Sequence, residues 1–204
     1  MQRRKLLTGL AGILGIASIA STAYLAQSTY RMLSKKPRKY YRSGPMECMK
    51  SALANLILEQ GDEKAARKIF DKYNHHPLVL DDGSVTDLVL TRLVSDLTDE
   101  EYEAIYFGNV IGDFSKAIQE HYGPKTEDVI KIFMNERQKG RIKSLDEADY
   151  NPPLICLLKV FNDETYITHT AVYLGGNQLL NNGEIRHYPI NRIKVLGILK
   201  LRKK

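Results

Sequence analysis

The pattern of apolar residues changes near residue 150, and this change constrains the fold more than any other feature of the sequence. Before it, apolar residues recur at helical spacing, as at positions 49, 52, 53, 56 and 57 of the run 49–60. After it, short runs rich in valine, isoleucine, threonine and tyrosine alternate with turn residues, which is typical of antiparallel strands. A helical N-terminal half followed by a C-terminal antiparallel sheet predicts an α+β domain.

Capping and stop residues bound the predicted elements. Gly61 ends the first helix, and Asp62 caps a second helix that extends to about residue 73. Further helices are predicted at 85–97, 99–106, 114–122 and 126–139. Strands are predicted at 153–161, 166–174, 178–182, 185–189 and 195–201, with a hairpin turn at Gly175-Gly176-Asn177. Together these strands are expected to form an antiparallel meander.

The N-terminal segment has the composition of a signal or a membrane anchor. Residues 6–26 carry no charge and, at about 1.5 Å per helical residue, are just long enough to span a bilayer core. The preceding Arg3-Arg4-Lys5 resembles the start of a twin-arginine export signal. Cleavage after export and retention as an anchor both fit the sequence. We therefore predict a signal or anchor at 1–27, a basic linker at 28–43, a folded domain at 44–204, and a membrane-associated or exported protein.

The net charge of +6 comes from the two ends of the chain. The first 42 residues contain basic side chains and no acidic one, and residues 202–204 are all basic, whereas the region between is slightly acidic. A basic stretch beside an apolar segment is typical of contact with anionic lipid headgroups. No nucleic-acid-binding signature with interleaved aromatic residues is present, so the partner expected from the charge pattern is a membrane, and not nucleic acid.

The chain contains two cysteines, Cys48 and Cys156. Two thiols build neither a disulfide scaffold nor a structural zinc site, although counting alone permits one bridge between them. Cys156 lies in an apolar run and is expected to be buried. His75-His76 has no third ligand at a suitable spacing, so neither a metal nor a cofactor is predicted.

Cys48 stands at the start of the first predicted helix, where unpaired N–H groups and the helix dipole lower a thiol pKa. His169 lies on a predicted strand, and a two-residue turn at Gly176-Asn177 would place Asn182 diagonal to it on the next strand. Asn182 would then accept a hydrogen bond from the imidazole and fix its tautomer, leaving the other nitrogen for the thiol. A register change of one residue would present Asn181 instead.

The order of cysteine, histidine and asparagine resembles papain-like cysteine peptidases, and most closely the bacteriocin-processing peptidases that cleave double-glycine leaders. That group opens with Asp-Cys-Gly-Pro-Thr-Ala-Leu-Ala, where this chain has Glu-Cys-Met-Lys-Ser-Ala-Leu-Ala at 47–54. Its histidine starts a strand of the type His-aromatic-Val-Val, comparable to His-Thr-Ala-Val at 169–172. Its oxyanion-hole glutamine, about six residues before the cysteine, corresponds to Arg42 here.

The resemblance implies a papain-like fold and a thiol peptidase that acts on a peptide or protein substrate. It implies Cys48 as nucleophile, His169 as base and acid, and Asn182 as the residue that orients His169. Because the glutamine is absent, an oxyanion donor would have to come from backbone amides or from Arg42. The same absence leaves a second hypothesis open. In that hypothesis the domain is catalytically inactive and either binds peptide or acts as a membrane-tethered interaction module.

Overall fold

A computed structural model describes residues 39–44, 47–108, 118–120, 122–161, 166–188 and 193–204. The compact domain extends over Tyr40–Lys204, so it begins four residues before the boundary expected from the sequence. The hydroxyl of Tyr40 donates to Glu59, and the ring of Tyr41 packs on Phe70 with 4.8 Å between centroids. The predicted signal or anchor at 1–27 lies outside the described residues. Among the described helices, none is both long and apolar enough to cross a membrane.

The helices of the N-terminal half follow the predicted apolar stripes. They are α1 (Cys48–Glu59), α2 (Glu63–Lys72), α3 (Leu90–Leu97) and, later in the chain, α4 (Thr126–Gln138). Asp62 caps α2 as predicted, because its carboxylate accepts from the backbone N–H of Ala65 at 3.0 Å. Leu53, Ala54, Leu56 and Ile57 of α1 are fully buried, so this helix lies in the centre of the core.

The described strands form one seven-stranded sheet in the order β2-β1-β7-β3-β4-β5-β6. Their bounds are β1 (Tyr102–Gly108), β2 (Ile142–Lys143), β3 (Leu154–Phe161), β4 (Tyr166–Gly175), β5 (Gln178–Asn181), β6 (Glu184–His187) and β7 (Ile193–Lys203). All neighbours are antiparallel except β1 and β2. Strands β3 to β6 are the predicted meander, whereas β7 returns to the other side of β3. The protein is an α+β domain.

The two faces of the sheet belong to different clusters of buried side chains. One face contributes Ile155, Val172 and Leu180 to the main core, together with the apolar residues of the helices. The other face carries Cys156, Leu158, Ala171 and neighbouring apolar residues in a smaller cluster. This alternation follows the period of two along each strand.

Of the predictions for the middle of the chain, one was wrong and another had the right type of element but the wrong start. The helix expected at 99–106 is instead strand β1, because Asp99 and Glu100 adopt positive φ angles of 49° and 64° and end the helical region. The helix expected at 85–97 is shorter, with a 3-10 turn at Asp87–Val89 before α3. Most of the helix predicted at 114–122 lies outside the described residues.

Candidate active site

Cys48 is the first residue of α1, as the sequence predicts. The N–H groups in the first turn of a helix have no intrahelical acceptor, so they concentrate partial positive charge beside this side chain. The preceding residue, Glu47, is held through both its backbone and its side chain. Its carbonyl accepts from the hydroxyl of Ser43 at 2.7 Å, and its carboxylate accepts from the N–H of Gly44 at 3.2 Å and from Asn74. The position of the thiol is therefore fixed by several contacts before the helix begins.

The thiol of Cys48 lies beside the imidazole of His169 and beside Thr170, in the range at which hydrogen bonds from both act on its pKa. Burial acts to raise the pKa of Cys48, but these hydrogen bonds and the charge of His169 outweigh it and lower the pKa below its ordinary value. The hydrogen bond to Cys48 also raises the pKa of His169, in spite of its burial. Opposite shifts on two partners favour the thiolate–imidazolium pair.

The second contact of the imidazole fixes its orientation. Nε2 of His169 lies 2.6 Å from Oδ1 of Asn181, so Nδ1 is the ring nitrogen that remains for the thiol. The amide of Asn181 is held in turn, because its Nδ2 donates to the hydroxyl of Tyr188 at 2.9 Å. With the nitrogen of Asn181 engaged by Tyr188, its oxygen accepts from the N–H at Nε2. The result is a continuous chain of side chains from Tyr188 to Cys48.

The residue beside His169 is Asn181 and not Asn182, which corrects the expected assignment. The predicted two-residue turn at Gly176-Asn177 is present, since Gly175 pairs with Gln178. A β-bulge between Tyr173 and Gly175 then shifts the register by one residue. Asn181 is thereby placed level with Ala171 and diagonal to His169.

Asn182 lies in the next turn. Asn181 pairs with Glu184, and the two residues between them, Asn182 and Gly183, both have positive φ angles. This is a two-residue hairpin loop of the Asn-Gly type, the strongest short hairpin signal that a sequence contains. From the sequence alone, the Asn182-Gly183 dipeptide predicts this turn. That prediction would have placed Asn182 in the turn and not on strand β5.

Asn182 instead binds the segment that precedes Cys48. Its Oδ1 accepts from the N–H of Ser43 at 2.7 Å, and its Nδ2 donates to the carbonyl of Ser43 at 3.1 Å. Asn55 of α1 holds Tyr41 in the same paired way, at 2.8 and 3.0 Å. Two amide side chains thus clamp the backbone on either side of Arg42.

A cleft of about 320 Å³ opens onto these side chains. It is lined by Arg42, Gly44, Cys48, His169, Asn181, Asn182, Glu184 and Arg186. Glu184 links the two arginines, since one of its carboxylate oxygens lies 3.1 Å from Nη2 of Arg42 and the other 2.9 Å from Nη2 of Arg186. Glu184 and Arg186 were not expected at the site from the sequence, because their place at the cleft depends on the β5–β6 hairpin.

Cys156 has the opposite environment from Cys48. It is buried in the smaller cluster, and burial raises the pKa of its thiol to about 12. Both cysteines are free thiols, so the bridge that counting permits is not formed. The two cysteines therefore differ sharply in expected reactivity, which gives an internal control for thiol chemistry.

Comparisons with family models, with curated proteins and with solved structures give no match for this chain. The side chains at the cleft define the chemistry that the site can perform. It combines a partly accessible thiol of lowered pKa, an imidazole positioned to carry protons, and an amide that fixes the tautomer of that imidazole. Such an arrangement supplies a nucleophile and a general acid–base in one cleft.

Proposed function

We propose that this protein is a papain-like thiol peptidase in which Cys48, His169 and Asn181 form the catalytic triad. The single observation that carries the proposal is that one cleft brings the Cys48 thiol beside His169, whose imidazole is bound by Asn181. The fold is consistent with it, because a helix that begins at the nucleophile packs beside strands that carry the histidine and the asparagine in the papain-like order. The apolar segment at 6–26 supports a membrane-associated or exported peptidase.

The proposed reaction begins with attack of the Cys48 thiolate on the carbonyl carbon of a peptide bond. His169, protonated, gives its proton to the amine as the C–N bond breaks, which leaves an acyl thioester on Cys48. A water molecule then loses a proton to His169 and attacks the thioester. The carboxylic acid product departs, and the thiolate and the imidazolium are restored.

The tetrahedral intermediates need a donor for the negative oxygen. The backbone N–H of Cys48 suits this role because it lies in the first turn of α1. Arg42 stands in the cleft at the position of the family's glutamine and supplies positive charge there. This replacement is also the observation that favours the second function, an inactive domain that binds peptide in the same cleft.

The two functions are separated by a peptide digestion followed by mass spectrometry. The peptidase proposal expects new peptide termini in a mixture of peptides, and loss of that cleavage once iodoacetamide has modified Cys48. At neutral pH, the label should appear on Cys48 and not on Cys156, whose thiol is buried and has a raised pKa. Peptide binding without any cleavage would instead identify the inactive domain.

A Tyr188→Phe variant tests the positioning of the histidine. The variant removes the oxygen that holds the Asn181 amide, so His169 should be less well oriented. We expect kcat to fall by roughly 2- to 10-fold, the range for loss of one neutral hydrogen bond, with a smaller change in KM. The pH profile of Cys48 alkylation should shift as well. Tyr150→Phe, at an exposed tyrosine, is the matched control and should change neither quantity.

A further inference from the structure

Two arginines lie at the same cleft as the reactive pair. Glu184 and Arg186 are two residues apart on β6, and both line the cleft. Arg42 lines the same cleft from the clamped segment before α1. Arg186 also acts on the pair itself: the contact with Cys48 raises the pKa of His169, and the charge of Arg186 opposes part of this rise. The cleft wall thus carries two fixed positive charges and one negative charge beside the thiol.

Only a small part of the hydrogen-bonding capacity of the arginines is used by Glu184. A guanidinium has five N–H donors, and each arginine contacts Glu184 through one nitrogen. The side chains of Arg42 and Arg186 are 65% and 57% exposed, so they remain open to a ligand. Planar guanidinium groups bind carboxylates in preference to most other groups.

We propose that this arginine pair binds a carboxylate of the substrate, so that the cleft selects peptides with an acidic group close to the bond that is cut. The proposal rests on the proposed peptidase function and names its substrate class. A basic side chain is a poorer fit, because both oxygens of Glu184 are already taken by the two arginines. The charge left over at the cleft wall is positive.

Two further features support a built site rather than two incidental surface arginines. The backbone at Arg42 is fixed by the amide clamps at Tyr41 and Ser43. Gly183 allows this segment to lie directly on the hairpin, since a Cβ atom there would come within 2.6 Å of Cγ of Arg42. Arg186 lines the same cleft as Asn181 and Cys48. A carboxylate held by the pair would therefore lie next to the catalytic side chains.

The test uses the full chain and short alanine peptides that carry a single aspartate or a single asparagine at each position in turn. A second set compares a free C-terminal carboxylate with its amide, which separates a side-chain carboxylate from a terminal one. We expect kcat/KM to be about tenfold higher for the acid than for the amide at one position, the lower end for charged hydrogen bonds at an exposed site. Arg186→Gln and Arg42→Gln should each bring this ratio towards one.

The control is Arg137→Gln, which removes the same charge from an exposed position on α4 and should leave the ratio unchanged. Binding is read independently from the protection of Cys48 against iodoacetamide by the same peptides, so the site is tested even if no peptide is cut. Equal cleavage and equal protection by acid and amide would overturn the carboxylate site and leave the peptidase intact. Preferential protection by the acid without any cleavage would support the carboxylate site and reject the peptidase.

Discussion

Replacement of His169 by alanine is expected to lower kcat/KM for peptide hydrolysis by about 100- to 10,000-fold, the range that a positioned general acid–base contributes. Replacement of Cys48 by alanine should remove hydrolysis altogether, because no other described side chain in the cleft is a comparable nucleophile. Peptide digestion with purified variants measures both effects. The two losses should not add in a double variant, since the two residues act as one unit.

The same histidine variant should change the reactivity of the thiol. In the wild-type protein the hydrogen bond and charge of His169 lower the pKa of Cys48, whereas burial acts to raise it. Without His169 the burial effect has less opposition, so the pKa of Cys48 should rise towards or above the ordinary value of about 8.5. Iodoacetamide should therefore alkylate Cys48 more slowly in His169→Ala than in the wild type at neutral and acidic pH.

His187→Ala provides the control for this experiment, because His187 is exposed on β6 and does not line the cleft. This variant should keep both the hydrolysis rate and the alkylation profile of the wild type. An alkylation profile of His169→Ala that matches the wild type would show that His169 does not activate Cys48. That result would reject the triad and would leave the fold unaffected.

The sequence was sufficient for the class of fold and for the first two members of the site. The helical period of α1, the cap at Asp62 and the strand alternation around His169 are local properties, and each is present in the structure. The third member depends on a bulge in β4, which moves the facing residue from Asn182 to Asn181. A bulge is decided by packing and pairing across strands, so local patterns leave the register open by one residue.

Strand β1 is a second case in which contacts distant in the sequence determine a structure that local patterns leave open. Tyr102, Ala104 and Tyr106 are buried, while Glu103 and Ile105 between them are partly exposed, which is a period of two. The sequence also permits a helical interpretation of this short run. The strand forms because it pairs with β7, almost a hundred residues later, and with β2. Tertiary pairing of this kind overrides local propensity.

The sequence also contains no indication that the carboxylate of Glu136 is buried. Loss of a partner of this carboxylate is expected to cause the largest decrease in the free energy of unfolding. Only 2% of its side chain is exposed, yet Lys139 contacts one oxygen at 2.9 Å and Arg141 the other at 3.1 Å. Arg141→Met leaves the buried charge with one partner. We expect the free energy of unfolding to fall by about 3 kcal/mol at neutral pH, as for other buried pairs that lose one member. Urea unfolding measures the change.

The pH dependence of that loss follows from the pKa of Glu136. Burial acts to raise this pKa, but hydrogen bonds from Lys139 and Arg141 hold it below its ordinary value. A lowered pKa contributes stability above the unfolded value of about 4.3, and this stability is lost as the pH falls through the folded pKa. The difference between wild type and Arg141→Met should therefore be largest at neutral pH and should shrink on acidification.

A second substitution distinguishes an unpaired charge from simple loss of packing. In the double variant with Glu136→Leu and Arg141→Met, no buried charge remains, and replacing a buried ion pair by apolar side chains is often neutral. The double variant should therefore recover much of the stability that the single variant loses, a coupling that a double-mutant cycle measures directly.

Arg137→Met, on the exposed side of α4, controls for the loss of a positive charge and should have little effect. Arg141 also lies 3.2 Å from the carboxylate of Glu103. If the double variant were as unstable as Arg141→Met, the stabilising effect of Arg141 would come from its contacts with Glu103 and neighbouring residues, and not from its pairing with Glu136.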